Sequence, residues 1–353
     1  MKKNHKVLKW IGGILLVLVL LTVGFLGYIT MVEYRPDQVE KLELPENKEE
    51  TSIEDEFTLL TYNVGYGALN KTADFFMDGG KSVQPESKQF IEKNMDGIQN
   101  ILNKNNADAF FIQEVDLNSK RSYKINEKEY LEKETGKNGI FAYNFNSKIV
   151  PYPWPMIGHV ESGLLTMTNK EVDDAVRISL PESFTWPTKT CNLKRCLMKT
   201  YLPLEGTDKQ LVLVNFHLEA YDSGEGKIAQ SKMLAEILEE EYAKGNYVIA
   251  GGDFNQTFEG VDKYPIFDDE NWKPGVISEN SLPEGFKFAI DDSYPTCRLL
   301  NAPYTGSYKT SQVYVLDGFI VSPNINVKEV KVIDTDFEYT DHQPVKITFD
   351  FEK

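Results

Sequence analysis

The chain opens on a run, Trp10 to Val32, that holds no Asp, Glu, Lys or Arg and is rich in Leu, Val, Ile and Gly. Roughly 20 such residues cross about 30 Å of hydrocarbon as a helix. The apolar part of a cleaved leader is usually ~7–15 residues and ends on small side chains. This run is longer, and its end (Tyr28-Ile29-Thr30-Met31-Val32) has no Ala-x-Ala pattern, so an uncleaved transmembrane anchor over 10–32 is expected. Residues 33–56 are charged, carry two prolines and lack periodicity, which predicts a polar tether. From Phe57 the pattern becomes short apolar runs divided by Gly, Pro, Asn and Asp. FTLLTYNV (57–64), DAFFIQEV (108–115), QLVLVNFHL (210–218), NYVIAGG (246–252), QVYVLDGFIV (312–321) and PVKITFDF (344–351) read as buried strands. Helical spacing joins Ile91, Met95, Ile98 and Leu102 in 88–105, and Leu234, Ile237, Leu238 and Tyr242 in 228–244, where Gly245 follows as a stop. The reading is one α/β domain over 57–353.

Charge orients the chain. Lys2, Lys3, Lys6 and Lys9 precede the apolar run, and no acid does. Excess Lys/Arg stays in the cytoplasm, which places residues 1–9 inside and the bulk of the chain outside. All 54 acidic residues and all but four of the 38 basic ones follow the run, so the outer part is more acidic than the whole chain's −16. That argues against binding nucleic acid or anionic lipid through broad positive charge. Cys191 and Cys196 are spaced to close a small disulfide loop outside the cell, which leaves Cys297 over.

Polar residues gather where the apolar strands end, and strand ends present side chains to a shared cleft. Asn63 interrupts the first strand, and Gly65 and Gly67 after it let a ligand approach. Glu114 ends the second strand, where a carboxylate is costly to bury unless paired or metal-bound. His217 lies in the third strand and is one of only four histidines. The fourth strand runs through Gly251-Gly252 into Asp253-Phe254-Asn255. Asp253 and Asn255, two apart on extended chain, share a face and supply a carboxylate and an amide for water and a phosphoryl oxygen. Asp317 interrupts the fifth strand, and Asp341-His342 precede the last. A buried Asp bonded to one imidazole nitrogen frees the other for chemistry, which makes Asp317 and His342 a natural pair.

Asn63, then QE, His217, GDFN, LDxxxVS and DHxPV in that order resemble the endonuclease/exonuclease/phosphatase superfamily over roughly 57–351. That group includes deoxyribonuclease I, bacterial sphingomyelinases and inositol-phosphate 5-phosphatases. The resemblance implies a four-layer sandwich, two packed, mainly antiparallel β-sheets flanked by helices. It implies Glu114 as principal metal ligand, Asn63 beside it and Asp341 within reach, for Mg²⁺ or else Mn²⁺ or Ca²⁺. Asp253 and Asn255 then position water and contact phosphate, Asp317 and His342 form the Asp–His pair, and His217 is the second histidine of the nuclease and sphingomyelinase branches. Gly65 stands where some members place an acidic second metal contact, so one metal is the simpler expectation.

The expected activity is in-line hydrolysis of a phosphodiester or phosphomonoester by a membrane-anchored, extracytoplasmic enzyme, with Asp253 or His342 as base. The substrate stays open among nucleic acid, phospholipid head group and inositol phosphate. Arg121, Tyr123 and Asn192 to Arg195 are read as ordinary surface residues, and IVPYPWPMIG (149–158) as a packed Pro-rich loop. The alternative is a catalytically silent surface binding module on the same fold.

Overall fold

The computed structural model describes residues 2–45, 53, 56–268 and 270–352, with side chains from residue 5. Its first element, α1 (Lys2–Met31), is a helix long and apolar enough to cross a membrane. Its face is almost wholly exposed until Ile29, which is buried against the domain. Then follow β1 (Val39–Lys41), β2 (Glu56–Asn63), α2 (Lys88–Lys104), β3 (Ala109–Asp116), α3 (Glu127–Thr135), β4 (Asn138–Val150) and β5 (Gly158–Thr168). The chain continues through β6 (Asp174–Ser179), β7 (Cys196–Pro203), β8 (Gln210–His217), α4 (Glu225–Ala243), β9 (Tyr247–Asp253), β10 (Gln256–Phe258) and β11 (Gly275–Ile277). It ends with β12 (Lys287–Ala289), β13 (Cys297–Arg298), β14 (Val313–Tyr314), β15 (Asp317–Val321), β16 (Ile325–Val332) and β17 (Val345–Phe351).

Two large sheets result, in the orders β16-β17-β2-β3-β5-β4 and β1-β6-β7-β8-β9-β15-β12. Within them only β2–β3 and β8–β9 pair in parallel. Successive strand side chains point to opposite faces. Phe57, Leu59, Phe111, Leu213, Ile249, Phe319 and Ile347 thus form a core between the sheets. Their neighbours Leu60, Phe110 and Ile112 face outward and are covered by Ile91, Met95, Ile98 and Leu102 of α2. Val212, Val214, Val248 and Ala250 are covered by Leu234 and Leu238 of α4 in the same way. These are the layers of the expected sandwich. The Ser87 hydroxyl caps α2 by accepting from the Phe90 N–H, and Gly245, at φ +84°, ends the turn after α4.

Three local outcomes differ from the sequence reading. The run 312–321 is two strands in different sheets, because the Thr296 hydroxyl accepts the N–H groups of both Leu316 and Asp317 and breaks the ladder there. Cys191 and Cys196 are not bridged: Cys196 points inward beside the Tyr143 carbonyl, and all three cysteines are free. Within 33–45, Val39–Lys41 pair with β6, and Lys194 holds Glu33 at 2.9 Å with both side chains almost fully buried. Residues 46–52, 54 and 55, the rest of the expected tether apart from Ile53 and Glu56, lie outside the described residues.

Candidate active site

Register brings the candidates together. In the parallel pair β8–β9, His217 lies opposite Asp253, and in the antiparallel pair β9–β15, Asp317 lies opposite Asp253 from the other side. One carboxylate at the end of β9 therefore has an imidazole on one flank and a second carboxylate on the other. His342, just before β17, places Nδ1 2.9 Å from Asp317 Oδ2 and Nε2 3.6 Å from Asp253 Oδ2. His217 Nε2 is 3.4 Å from the same Asp253 oxygen, so that atom lies between two histidines.

The other sheet supplies the opposite wall. Asn63, at the end of β2, donates through Nδ2 to Glu114 Oε1 and to Asp253 Oδ2, each at 3.1 Å. A bulge in β3 between Ile112 and Val115 puts two residues against one on β5. It turns Gln113 inward onto Asn215, and Glu114 into the cleft at φ +56°, a backbone conformation uncommon for a side chain of this kind. Asp341 accepts from the Thr340 hydroxyl, and its Oδ1 lies 3.0 Å from where a Cβ on Gly65 would stand. Gly65, at φ +51°, is thus required for the approach of Asp341 rather than for a ligand. Gly251 and Gly252 likewise serve neighbouring strands: a Cβ would meet the Phe319 ring at 2.4 Å or the Phe216 carbonyl oxygen at 1.9 Å.

Six of the eight candidates, Glu114, His217, Asp253, Asn255, Asp341 and His342, line one cleft of about 780 Å³; Asp317 stands behind it bonded to His342, and Asn63 behind it bonded to Glu114 and Asp253. Asn255, at φ +50°, gives one amide hydrogen to the Leu218 carbonyl and keeps the other for the cleft. Residues read as ordinary surface also belong to the wall. Arg121 is clamped by both oxygens of Asp116, stacks 3.6 Å over the Tyr66 ring and faces the cleft. Arg195 is buried, bonds the His217 carbonyl and pairs with Glu219. Arg298 and the Asp78–Tyr221 pair had no signal in the chain, since each is made by loops far apart in sequence. The 149–158 loop is packed only at its ends, where Val150 and Ile157 join Phe145 and Val160; between them Tyr152 lines the cleft, and Trp154 is 84% exposed.

Burial sets the charges. It pushes Asp253 up to about 6, with Asp317 adding repulsion against the pull of His342. It pushes Asp341 up to about 7, and Glu114 and Asp78 add to that. His217 is held well below the ordinary imidazole value by burial and by Arg195, so it is neutral at pH 7. Burial also opposes charge on His342, but Asp317 and Asp253 outweigh it and hold this imidazole protonated. Two histidines driven to opposite protonation states around one carboxylate make an acid–base arrangement. Two buried polar atoms, His217 Nδ1 and Asp317 Oδ1, find no hydrogen-bond partner among the described residues. Ligand atoms of Asp253, Asp317 and His342 also fall within 4.8 Å of one another.

No curated protein sequence matches the chain significantly. Among solved structures, an endonuclease/exonuclease/phosphatase from Beutenbergia cavernae superposes with a TM-score of 0.60 at 14% identity, covering 84% of this chain and 72% of that one. One from Bacteroides vulgatus gives 0.55 at 16%, covering 85% and 100%. The human nocturnin catalytic domain with bound sulfate gives 0.52 at 15%, covering 84% and 94%. The sequence model of the Endonuclease/Exonuclease/phosphatase family matches residues 60–342. With fold and family model in agreement over nearly all of the domain that follows α1, the chain belongs to the endonuclease/exonuclease/phosphatase family, whose members are hydrolases acting on phosphate esters.

Proposed function

We propose that this chain is a metal-dependent phosphoesterase, held in a membrane by residues 10–32 with residues 1–9 cytoplasmic and the catalytic domain, 57–353, outside. The observation that carries the catalytic half is the convergence of His217, Asp317 and His342 on Asp253. The topology rests on the four lysines before the span.

The donor set fits a hard divalent cation. Glu114 and Asp341 are carboxylates whose mutual repulsion in a buried cleft such an ion relieves, and family members are typically divalent-metal dependent. Glu114 and Asp341 would hold Mg²⁺, or Mn²⁺ or Ca²⁺, with Asn63 beside them. Such an ion neutralises charge on the phosphate and the leaving oxygen. Asn63 here turns its amide nitrogen, not its oxygen, toward Glu114, so it steers that carboxylate by a hydrogen bond. Asp253, ionised at neutral pH, orients and deprotonates the attacking water. Protonated His342, fixed by Asp317, donates from Nε2, and the free Asn255 N–H together with His217 contacts the phosphoryl oxygens.

The test is turnover of bis-p-nitrophenyl phosphate by the full chain with Mg²⁺. Asp253→Asn should lower it by at least ~10²-fold, within the range of general-base assistance. Equal turnover by the variant, with its fold intact by circular dichroism, would remove Asp253 from the mechanism. No turnover by the wild type would favour the binding-module alternative.

A further inference from the structure

The cleft does not end in solvent alone. Phe25, Leu26 and Ile29, on the last two turns of α1, form part of the same wall as His217, Asp253 and His342. The helix is fixed there: the Trp186 indole N–H donates to the Thr30 hydroxyl at 3.0 Å, Arg35 bonds the Thr30 carbonyl, and Lys194 holds Glu33 in a buried pair. Phe76, Phe145 and Tyr152 continue the apolar lining of the same cleft. Of this lining Tyr152 is 71% exposed, and Trp154 and Trp186, near lining residues Tyr152 and Pro187 in the chain, are 84% and 53% exposed. Trp and Tyr concentrate where a protein passes from bilayer to water. Trp186 is tied to the outer end of the apolar helix, which is that level.

From these contacts we infer that the apolar helix is part of the substrate site, and that the substrate is a glycerophospholipid of the membrane the helix spans. The inference rests on the phosphoesterase reading above and deepens it. Ile29 and Phe25, four residues apart, lie about 6 Å apart along a helix axis. A lipid lying beside the outer end of the span therefore meets the cleft at the depth of its glycerol. Its phosphate enters among Arg121, Arg195 and the catalytic groups, while its first acyl methylenes stay against Phe25 and Leu26. Nucleobases stack on aromatic rings, but a nucleic acid cannot follow the apolar helix into hydrocarbon to reach Phe25 and Leu26.

Direction follows from burial. Asp253 and His342 are 1% and 5% exposed, whereas Phe25 and Met77 at the mouth are 38% and 44% exposed. In-line displacement sends the leaving group away from the attacking water. Water activated at the buried end forms the new O–P bond, and the P–O bond to the glycerol breaks. The glycerol oxygen takes up a proton in exchange for the one the water gives up. The products are diacylglycerol, left in the membrane, and a phosphorylated head group, released to water.

The experiment reconstitutes the full chain in vesicles of phosphatidylglycerol, phosphatidylethanolamine and phosphatidylcholine and follows diacylglycerol. Its kcat/KM is compared with those for the deacylated glycerophosphodiesters, a single-stranded oligonucleotide and bis-p-nitrophenyl phosphate. Vesicle lipid should be preferred over its deacylated form by at least about tenfold, the equivalent of ~1.4 kcal/mol. The ratio of lipid to bis-p-nitrophenyl phosphate turnover should fall about tenfold in Phe25→Ala/Leu26→Ala. Cleavage of the chromogenic diester with no preference for lipid, a ratio untouched by the double variant, or preference for the oligonucleotide would each overturn the inference and leave the phosphoesterase reading standing. Failure to cleave any diester would overturn both.

Discussion

His342 Nδ1 lies 2.9 Å from Asp317 Oδ2, and this contact joins a residue in one sheet to a residue leading into the other. Asp317 starts β15 opposite Asp253, while His342 precedes β17, two positions before Pro344. If Asp317 acts only by fixing and charging this imidazole, their losses will not add. Asp317→Asn and His342→Ala should each lower diester turnover by ~10²–10⁴-fold, with the double variant little worse than the poorer single one. Steady-state kinetics on the three proteins decides it, and multiplicative losses would show two independent roles.

Cation binding should be visible without catalysis. Glu114 adds to the cost of ionising Asp341 in the cleft, and an ion that binds only the folded chain stabilises it. At a concentration 100 times its Kd the gain is about 2.7 kcal/mol. Adding Mg²⁺ to chelator-treated protein should raise the melting temperature by several degrees, and Glu114→Ala should abolish the rise. The same substitution should abolish Mg²⁺-dependent turnover. An undiminished rise in the variant would move the ion elsewhere.

Acid sensitivity should centre on a pair remote from the chemistry. Burial opposes charge on Glu241, yet hydrogen bonds from Lys199, Lys244 and Tyr201 outweigh it and hold its carboxyl below the ordinary 4.5. A carboxyl lowered by folding contributes stability above its unfolded value, and that contribution drains away as pH falls through the lower, folded one. Wild-type stability should therefore drop below about pH 4.5 more steeply than that of Glu241→Gln. Lys199→Met at pH 7 should cost less than the roughly 3–5 kcal/mol of a fully stranded buried charge, because Lys244, Tyr201 and Asn246 still bond Glu241. Urea melts across pH 3–7 would measure both.

Gly252→Ala should be worse than a surface glycine change by a wide margin. Its Cβ would stand 1.9 Å from the Phe216 carbonyl oxygen, at φ +153°, and the obstacle is backbone rather than a mobile side chain. A loss of at least ~3 kcal/mol, the upper range for overpacking, is expected in denaturant melts. Gly260→Ala, which meets nothing nearby, serves as the control for the loss of a positive-φ glycine.

Strands buried on both faces were legible because their apolar runs are nearly continuous, and β17 because buried and half-buried residues alternate along it: β2, β3, β8, β9 and β17 fall within a residue of their expected limits. β4 to β7 were not, because polar residues inside them are satisfied by partners far along the chain, and β16 was not, because it is an edge strand whose middle is exposed. Lys199 in β7 reaches Glu241 on α4, and Arg177 in β6 bonds the Tyr143 carbonyl. The site divides the same way. Each candidate at a strand end stood out as a polar residue closing an apolar run, and the two sheets bring those ends to one cleft. Arg121 and Arg195 did not stand out, since a charged residue in a polar loop looks solvated until Asp116 and Glu219 close around it.

The pairing of Val39–Lys41 with the edge of a sheet has a mechanical consequence. The chain leaves α1 at Met31 and is bound again within eight residues, so the domain is not a body swinging on a leash from that helix. With α1 in a membrane as proposed, it is a tool set at a fixed working height above that surface. Such a tool reaches only what comes to its own level, and lengthening the chain between Met31 and Val39 would change which bonds it meets before changing how it cuts them.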